Sequence, residues 1–138
     1  MFCELVKAKP NESVVQWLRN HETQLCISSI TIGEIRRGIE LLAAGKRKSS
    51  LQTWLTDLCH RMEGRILNFN TSTAHVWGQM TARCDKNGIT LPSIDGQLAA
   101  IAKRHGLTVV TRNGDDFKNA GVKVVNPYPD PPKPKRKK

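Results

Sequence analysis

Four acidic residues stand where an apolar run gives way to a helix or a turn. Glu34 follows LCISSI, Asp95 opens IDGQLAAIAKRHG, and Asp115 and Asp116 follow LTVVT in the segment NGDDF. Carboxylates that converge repel one another and cost stability unless a cation holds them. Oxygen donors without neighbouring His or Cys suit Mg2+ or Mn2+. Such an ion activates water and stabilises the phosphorus centre during phosphodiester hydrolysis. Each acid also fits a structural role. Thr31-Ile-Gly-Glu34 matches a capping box, with Glu34 bonding the N-cap amide from the first turn of its helix. Asp95 suits the positive end of a helix dipole, and Asp115 and Asp116 are ordinary turn residues. Singly, the structural account is the better one; their joint placement brings the catalytic reading level with it.

Other candidates carry less. Ser28 and Ser29 lack a G-x-S-x-G context, and His21, His60, His75 and His105 form no triad pattern. There is no G-x-G-x-x-G and no P-loop. Lys46-Arg47-Lys48 is a solvated turn or a phosphate contact. Cys3, Cys26, Cys59 and Cys84 include no C-x-x-C pair and lie in apolar patterns, which predicts buried free thiols and a reducing, cytoplasmic compartment.

The 138 residues suffice for one domain with its own core, and 38% hydrophobic with 25% charged residues is ordinary for a soluble protein. No apolar stretch approaches a membrane span, and the first residues carry no signal-peptide pattern. Net charge is +10. From Pro127 onward five basic residues face Asp130, a balance of +4 that leaves +6 for residues 1–126. The folded part is therefore basic itself, which points to a polyanionic partner such as nucleic acid or an acidic protein.

The elements that must position these residues alternate. Phe2, Leu5 and Val6 suggest an opening helix stopped at Pro10, and SVVQWLRN a second. LCISSI reads as a buried strand. A helix then starts at Thr31, with Ile32, Ile35, Ile39 and Leu42 on one face and Gly45 as its stop. KRKSS reads as a charged turn before an amphipathic helix through Leu51, Trp54, Leu55, Leu58 and Met62. RILNF is a strand, and Thr71 or Ser72 caps a helix closed by Asn87-Gly88. A further helix follows Pro92 and ends at Gly106. LTVVT is a strand, NGDDF a turn and VKVV a short last strand. NPYPDPPKPKRKK is a disordered tail. Strands separated by helices predict a parallel α/β sheet, whose ligands bind at the carboxyl ends of the strands.

SSITIGEIRRGIELL, GRILNFN, PSIDGQLAAIAKRHGLTVVTRNGDDF and VKVVNPY resemble, in order and spacing, the PIN-domain ribonucleases, specifically the VapC-type and FitB-like toxins of bacterial toxin–antitoxin pairs. The similarity runs from about Phe2 to Tyr128. It implies a three-layer α/β fold with a parallel sheet flanked by helices, residues 1–128 as the domain and 129–138 as the tail. It further implies an endoribonuclease whose acids hold Mg2+ or Mn2+. Carried over by motif, Glu34, Asp95 and Asp116 are the catalytic and metal-binding acids; Asp115 is the lesser candidate. Thr111 and Asn113 match polar pocket residues, and Arg112, Lys46 and Arg47 are candidate nucleic-acid contacts. The implied partners are RNA, a cognate antitoxin and a second copy of the chain.

The same resemblance marks one element as missing. Members open with a strand ending in an L-D-T-N-type motif, whose Asp is a central metal ligand, followed by a helix much like MFCEL. Here Met1 already stands in that helix, and Glu4 matches a later acid within it. The expectation is a domain lacking its first central strand. Burying about four apolar side chains in such a strand contributes about 6–12 kcal/mol, against about 5–15 kcal/mol for a whole domain. Two non-catalytic readings follow: a remnant that binds antitoxin or nucleic acid without cutting, and a basic nucleic-acid-binding module with no toxin partner.

Overall fold

The computed structural model describes Gln16, residues 20–111 and residues 114–126, leaving out the side chains of Glu22, Asp115 and Asp116. The expected opening helix and the basic tail lie outside the described residues. Within the expected second helix, Gln16 and Asn20 are helical, as is His21 just beyond it, and the Gln16 amide donates to Asn20 Oδ1 at 2.9 Å. A short 3-10 turn follows at Glu22–Gln24.

LCISSI is a strand only at its centre. Strand β1 is Ile27–Ser28, and helix α1, Ser29–Glu40, begins before Thr31. The cause is Ser28. Its backbone is extended (φ −86°, ψ 151°) and its hydroxyl accepts the Thr31 amide at 2.9 Å, which nucleates the helix from Ser28. Thr31 is thus inside the first turn rather than capping it. Glu34 lies in the second turn, so neither the capping-box role nor the first-turn placement expected for it holds. Thr31, Ile35 and Ile39 form the buried stripe of α1.

The KRKSS turn is instead the start of helix α2, Lys46–Arg61. Gly45, expected to stop the preceding helix, begins this one. It adopts φ 155°, a conformation that favours glycine, and its carbonyl accepts the Ser49 amide at 3.1 Å. Strand β2, Ile66–Leu67, pairs parallel with β1 in the register Ile27 with Ile66 and Ser28 with Leu67. Helix α3, Thr71–Lys86, is capped by Asn70 rather than by Thr71 or Ser72. Asn70 Oδ1 accepts from the Thr73 amide at 3.0 Å and the Thr73 hydroxyl at 3.1 Å.

Helix α4, Ser93–His105, ends at Gly106 in the left-handed region, as the sequence predicts. Strand β3, Val109–Val110, pairs parallel with β4, Val124–Val125. Between them NGDDF is not a simple turn: Gly114–Lys118 form a single short helix, α5, whose Phe117 is buried.

The α/β plan with parallel strands holds, but the described strands form two separate two-stranded sheets. Each sheet has its own apolar cluster. Ile27, Ile35, Ile39, Leu55 and Met62 pack under β1 and β2. Met80, Ala99, Ala100, Val109 and Phe117 pack with β3 and the helices around it. Helix α4 links the halves, since it packs against α3, α1 and α5. Its approach to α3 is close: a Cβ on Gly96 would stand 3.3 Å from both Trp77 Nε1 and Leu91 Cδ2. Of the described cysteines, all free, only Cys84 is buried; Cys26 and Cys59 are half-buried, contrary to expectation.

Candidate active site

Polar residues stand just past β1 and β3. Ser28 ends β1 and turns the chain into α1, with its hydroxyl accepting from the Thr31 amide and donating to Thr31 Oγ1, both at 2.9 Å. Both residues are buried, Thr31 fully. Thr111 follows β3 and is also buried, and its amide donates to the Val125 carbonyl at 3.0 Å. Helix α4 reaches β3 through the short Gly106–Thr108 connection and so runs back against the strand direction. This puts its first turn, with Asp95, at the end where β3 finishes. Asp95 is half-buried there.

The three acids thus sit on α1, α4 and α5, and α4 is packed against the other two. The structure brings the elements together. Glu34 is on the exposed face of α1, and Asp116 is placed by its backbone within α5. Among the described residues no three His, Cys, Asp or Glu side chains gather as a ligand set, Asp115 and Asp116 standing outside that comparison. The candidate donors are carboxylates alone, which is the donor chemistry of a hard divalent cation. Arg112 and Asn113 lie outside the described residues.

Lys46 and Arg47 are exposed in the first turn of α2, a position that the helix dipole disfavours for cations. Their neighbour Lys48 reaches back to Glu40, 3.7 Å from its carboxylate and 3.3 Å from its carbonyl oxygen, and Arg36 pairs with the same carboxylate at 2.9 Å. The basic character of this helical hairpin is therefore only partly neutralised by Glu40.

Sequence reasoning missed the Ser28–Thr31 pair. The serines were weighed only as nucleophiles, whereas their signal was the spacing S-x-x-T at the end of an apolar run, which is an N-cap pattern. The pair borders a cavity of about 290 Å3 between the two sheets.

In a parallel α/β scaffold the carboxyl ends of the strands are where ligands bind. A model of the PIN domain matches residues 2–123, and the chain belongs to the PIN domain family. Toxin FitB of Neisseria gonorrhoeae is 37% identical over 132 residues, covering 94% of this chain and 95% of FitB. VapC ribonuclease Y4jK of Sinorhizobium fredii is 32% identical over 130 residues, covering 93% of each. Among solved structures, FitAB bound to an IR36 DNA fragment contains a chain that superposes with a TM-score of 0.83 at 36% identity, covering 90% of this chain and 88% of that one. The fold and family that the sequence implied are thus those of named toxins and a named ribonuclease. No helix among the described residues is long and apolar enough to cross a membrane.

Proposed function

We propose that this protein is an endoribonuclease toxin that cleaves RNA phosphodiester bonds with a divalent metal held by carboxylates, and that a protein antitoxin holds it in check. The observation that carries the reading is the packing of α4, with Asp95 in its first turn, against both α1 and α5, which bear Glu34 and Asp116. Family membership and the names of its relatives support the reaction class. The description of the FitAB complex supports a second protein as partner. By the same reading the toxin acts in the cytoplasm as a homodimer.

In this mechanism Asp95, Glu34 and Asp116 would hold Mg2+ or Mn2+ as hard oxygen ligands. When bound, the ion supplies Lewis-acid activation of water and offsets negative charge on the phosphate. Asp95 is presented from the first turn of a helix that packs against α1, α3 and α5, where the dipole favours a negative charge. By the family motif, Thr111 and Asn113 would serve as polar residues beside the scissile phosphate, while the charges of Arg112, Lys46 and Arg47 would draw the RNA backbone in.

The test is cleavage of single-stranded RNA by the purified chain in Mg2+ or Mn2+. Asp95→Asn keeps the size and the helix position but removes the charge, so the expected result is loss of cleavage with the fold intact by circular dichroism. Equal cleavage by Asp95→Asn overturns the assignment. A second reading, binding of antitoxin or RNA without cutting, is favoured by the division of the sheet between β1 and β3, next to the site. Saturable RNA binding by the unaltered chain, without metal-dependent cleavage, would select it.

A further inference from the structure

Exposed basic residues gather at the end of α4 opposite Asp95. The last turn of the helix carries Lys103, Arg104 and His105, all exposed. Arg104 stands nine residues beyond Asp95, about 14 Å along the helix axis. This turn is tied down by its cap. Gly106 is left-handed, its amide donates to the Lys103 carbonyl at 3.3 Å, and the Leu107 amide donates to the Ala102 carbonyl at 2.8 Å. The connection Gly106–Thr108 then leads into β3. Lys123, also exposed, immediately precedes β4, and its carbonyl accepts the Val109 amide at 2.9 Å, which puts it beside the start of β3. A chain reach of about 10 Å from His105 to Thr108 and a strand spacing of about 5 Å hold the backbones of His105 and Lys123 within about 15 Å.

Two features set this patch apart from ordinary surface charge. Among the described residues, Lys103, Arg104 and Lys123 form no ion pair, whereas Arg36 and Lys48 of the α1–α2 hairpin share the Glu40 carboxylate. The other feature is the pairing of Arg104 with His105, whose Nε2 lies 3.1 Å from an Arg104 guanidinium nitrogen. A guanidinium only donates, so Nε2 is the acceptor and the ring N–H is at Nδ1. The contact holds two planar groups together, a fork that suits phosphate and a ring that suits the face of a base. The helix dipole accounts for cations in the last turn of α4. It does not account for Lys123, which lies outside the helix.

We infer that this end of the molecule is a binding site for the phosphodiester backbone of a nucleic acid, separate from the carboxylate end, with Lys103, Arg104 and Lys123 on phosphates and His105 against a base. The ligand class follows from spacing and chemistry. A patch about 15 Å across matches four or so successive phosphates at about 3.4 Å of rise per nucleotide. An acidic peptide would answer the charges but offers no regular array of phosphates for the Arg104 fork and no base for the His105 ring. The inference goes beyond RNA cleavage, because it uses neither the carboxylates nor a metal. A chain that binds nucleic acid here and cuts nothing would refute the proposed activity and leave this site standing.

The experiment uses the full chain in EDTA, so that binding is read without cleavage, and follows fluorescence anisotropy across a salt series. The probes are a short dye-labelled single-stranded RNA, a duplex DNA of the same length and an oligoglutamate of the same charge as the RNA. Lys103→Ala, Arg104→Ala and Lys123→Ala together should weaken nucleic-acid binding at least tenfold. For RNA the slope of log affinity against log salt should become shallower by about 2. The nucleic acid that loses more affinity is the one the site takes. Arg83→Ala with Lys86→Ala removes exposed cations at the end of α3 instead and should leave affinity within about twofold. Circular dichroism reports whether the triple variant is folded. If it is not, Lys123→Ala alone, outside the helix, should still flatten the RNA slope by about 0.7. An unchanged slope, an equal loss from the Arg83 and Lys86 pair, or oligoglutamate binding as tight as that of RNA and DNA overturns the inference.

Discussion

Ser28 and Thr31 are joined by two hydrogen bonds, the Thr31 amide donating to Ser28 Oγ and the Ser28 hydroxyl donating to Thr31 Oγ1, both at 2.9 Å. This pair fixes where β1 ends and α1 begins, and hence the turn of the helix from which Glu34 projects. Ser28→Ala should lower stability by about 1–2 kcal/mol through loss of the cap. Urea unfolding measures it. An unchanged midpoint would mean that α1 is positioned by packing alone.

Asn70 performs the corresponding task for α3 through the Thr73 amide. Asn70→Ala is expected to cost about 1 kcal/mol, whereas Asn70→Asp keeps an acceptor and adds a charge that the helix dipole favours, and should cost little. Thermal melts of the two variants, side by side, distinguish a capping role from general surface tolerance.

Glycines in the helices should differ in sign. At Gly96 an added methyl meets Trp77 and Leu91 at 3.3 Å, so Gly96→Ala should destabilise by about 1–3 kcal/mol. At Gly38 on the exposed side of α1 nothing lies within 4 Å, and Gly38→Ala should stabilise by about 0.5–1 kcal/mol. Denaturant midpoints that shift the same way for both would contradict the packing described between α3 and α4.

If Lys46 and Arg47 contact RNA phosphates, replacing both by alanine removes two charges. The slope of log affinity against log salt for single-stranded RNA should then become shallower by about 1.4. Filter binding across a salt series reads this directly. A parallel line would remove the basic end of α2 from the RNA path.

Much of the fold was legible in local chemistry. The helix through Ala99, Ala100 and Ala102 with Gly106 beyond it, the break at Asn87-Gly88 and the four strand cores were all apparent from spacing and breakers. Helix starts were harder. Ser28 and Thr31, or Asn70 and Thr71, are equally competent caps in sequence, and the choice between neighbours depends on which one the preceding strand holds extended. Lys46-Arg47-Lys48 was read as a turn because its charges conceal helix-forming residues, while Gly45 supplies the start.

The sequence by itself determined the family and the alternation of strands and helices, because these rest on residue type and short-range spacing; it nominated Glu34, Asp95 and Asp116 as candidate acids. Tertiary structure decided what those residues share. It made α4 the helix against which α1, α3 and α5 pack, with Gly96 allowing the close approach of Trp77 from α3. It moved Glu34 out of a cap and onto an open face. And it divided the described strands into two sheets, because pairing depends on main-chain edges that come together only when distant segments pack.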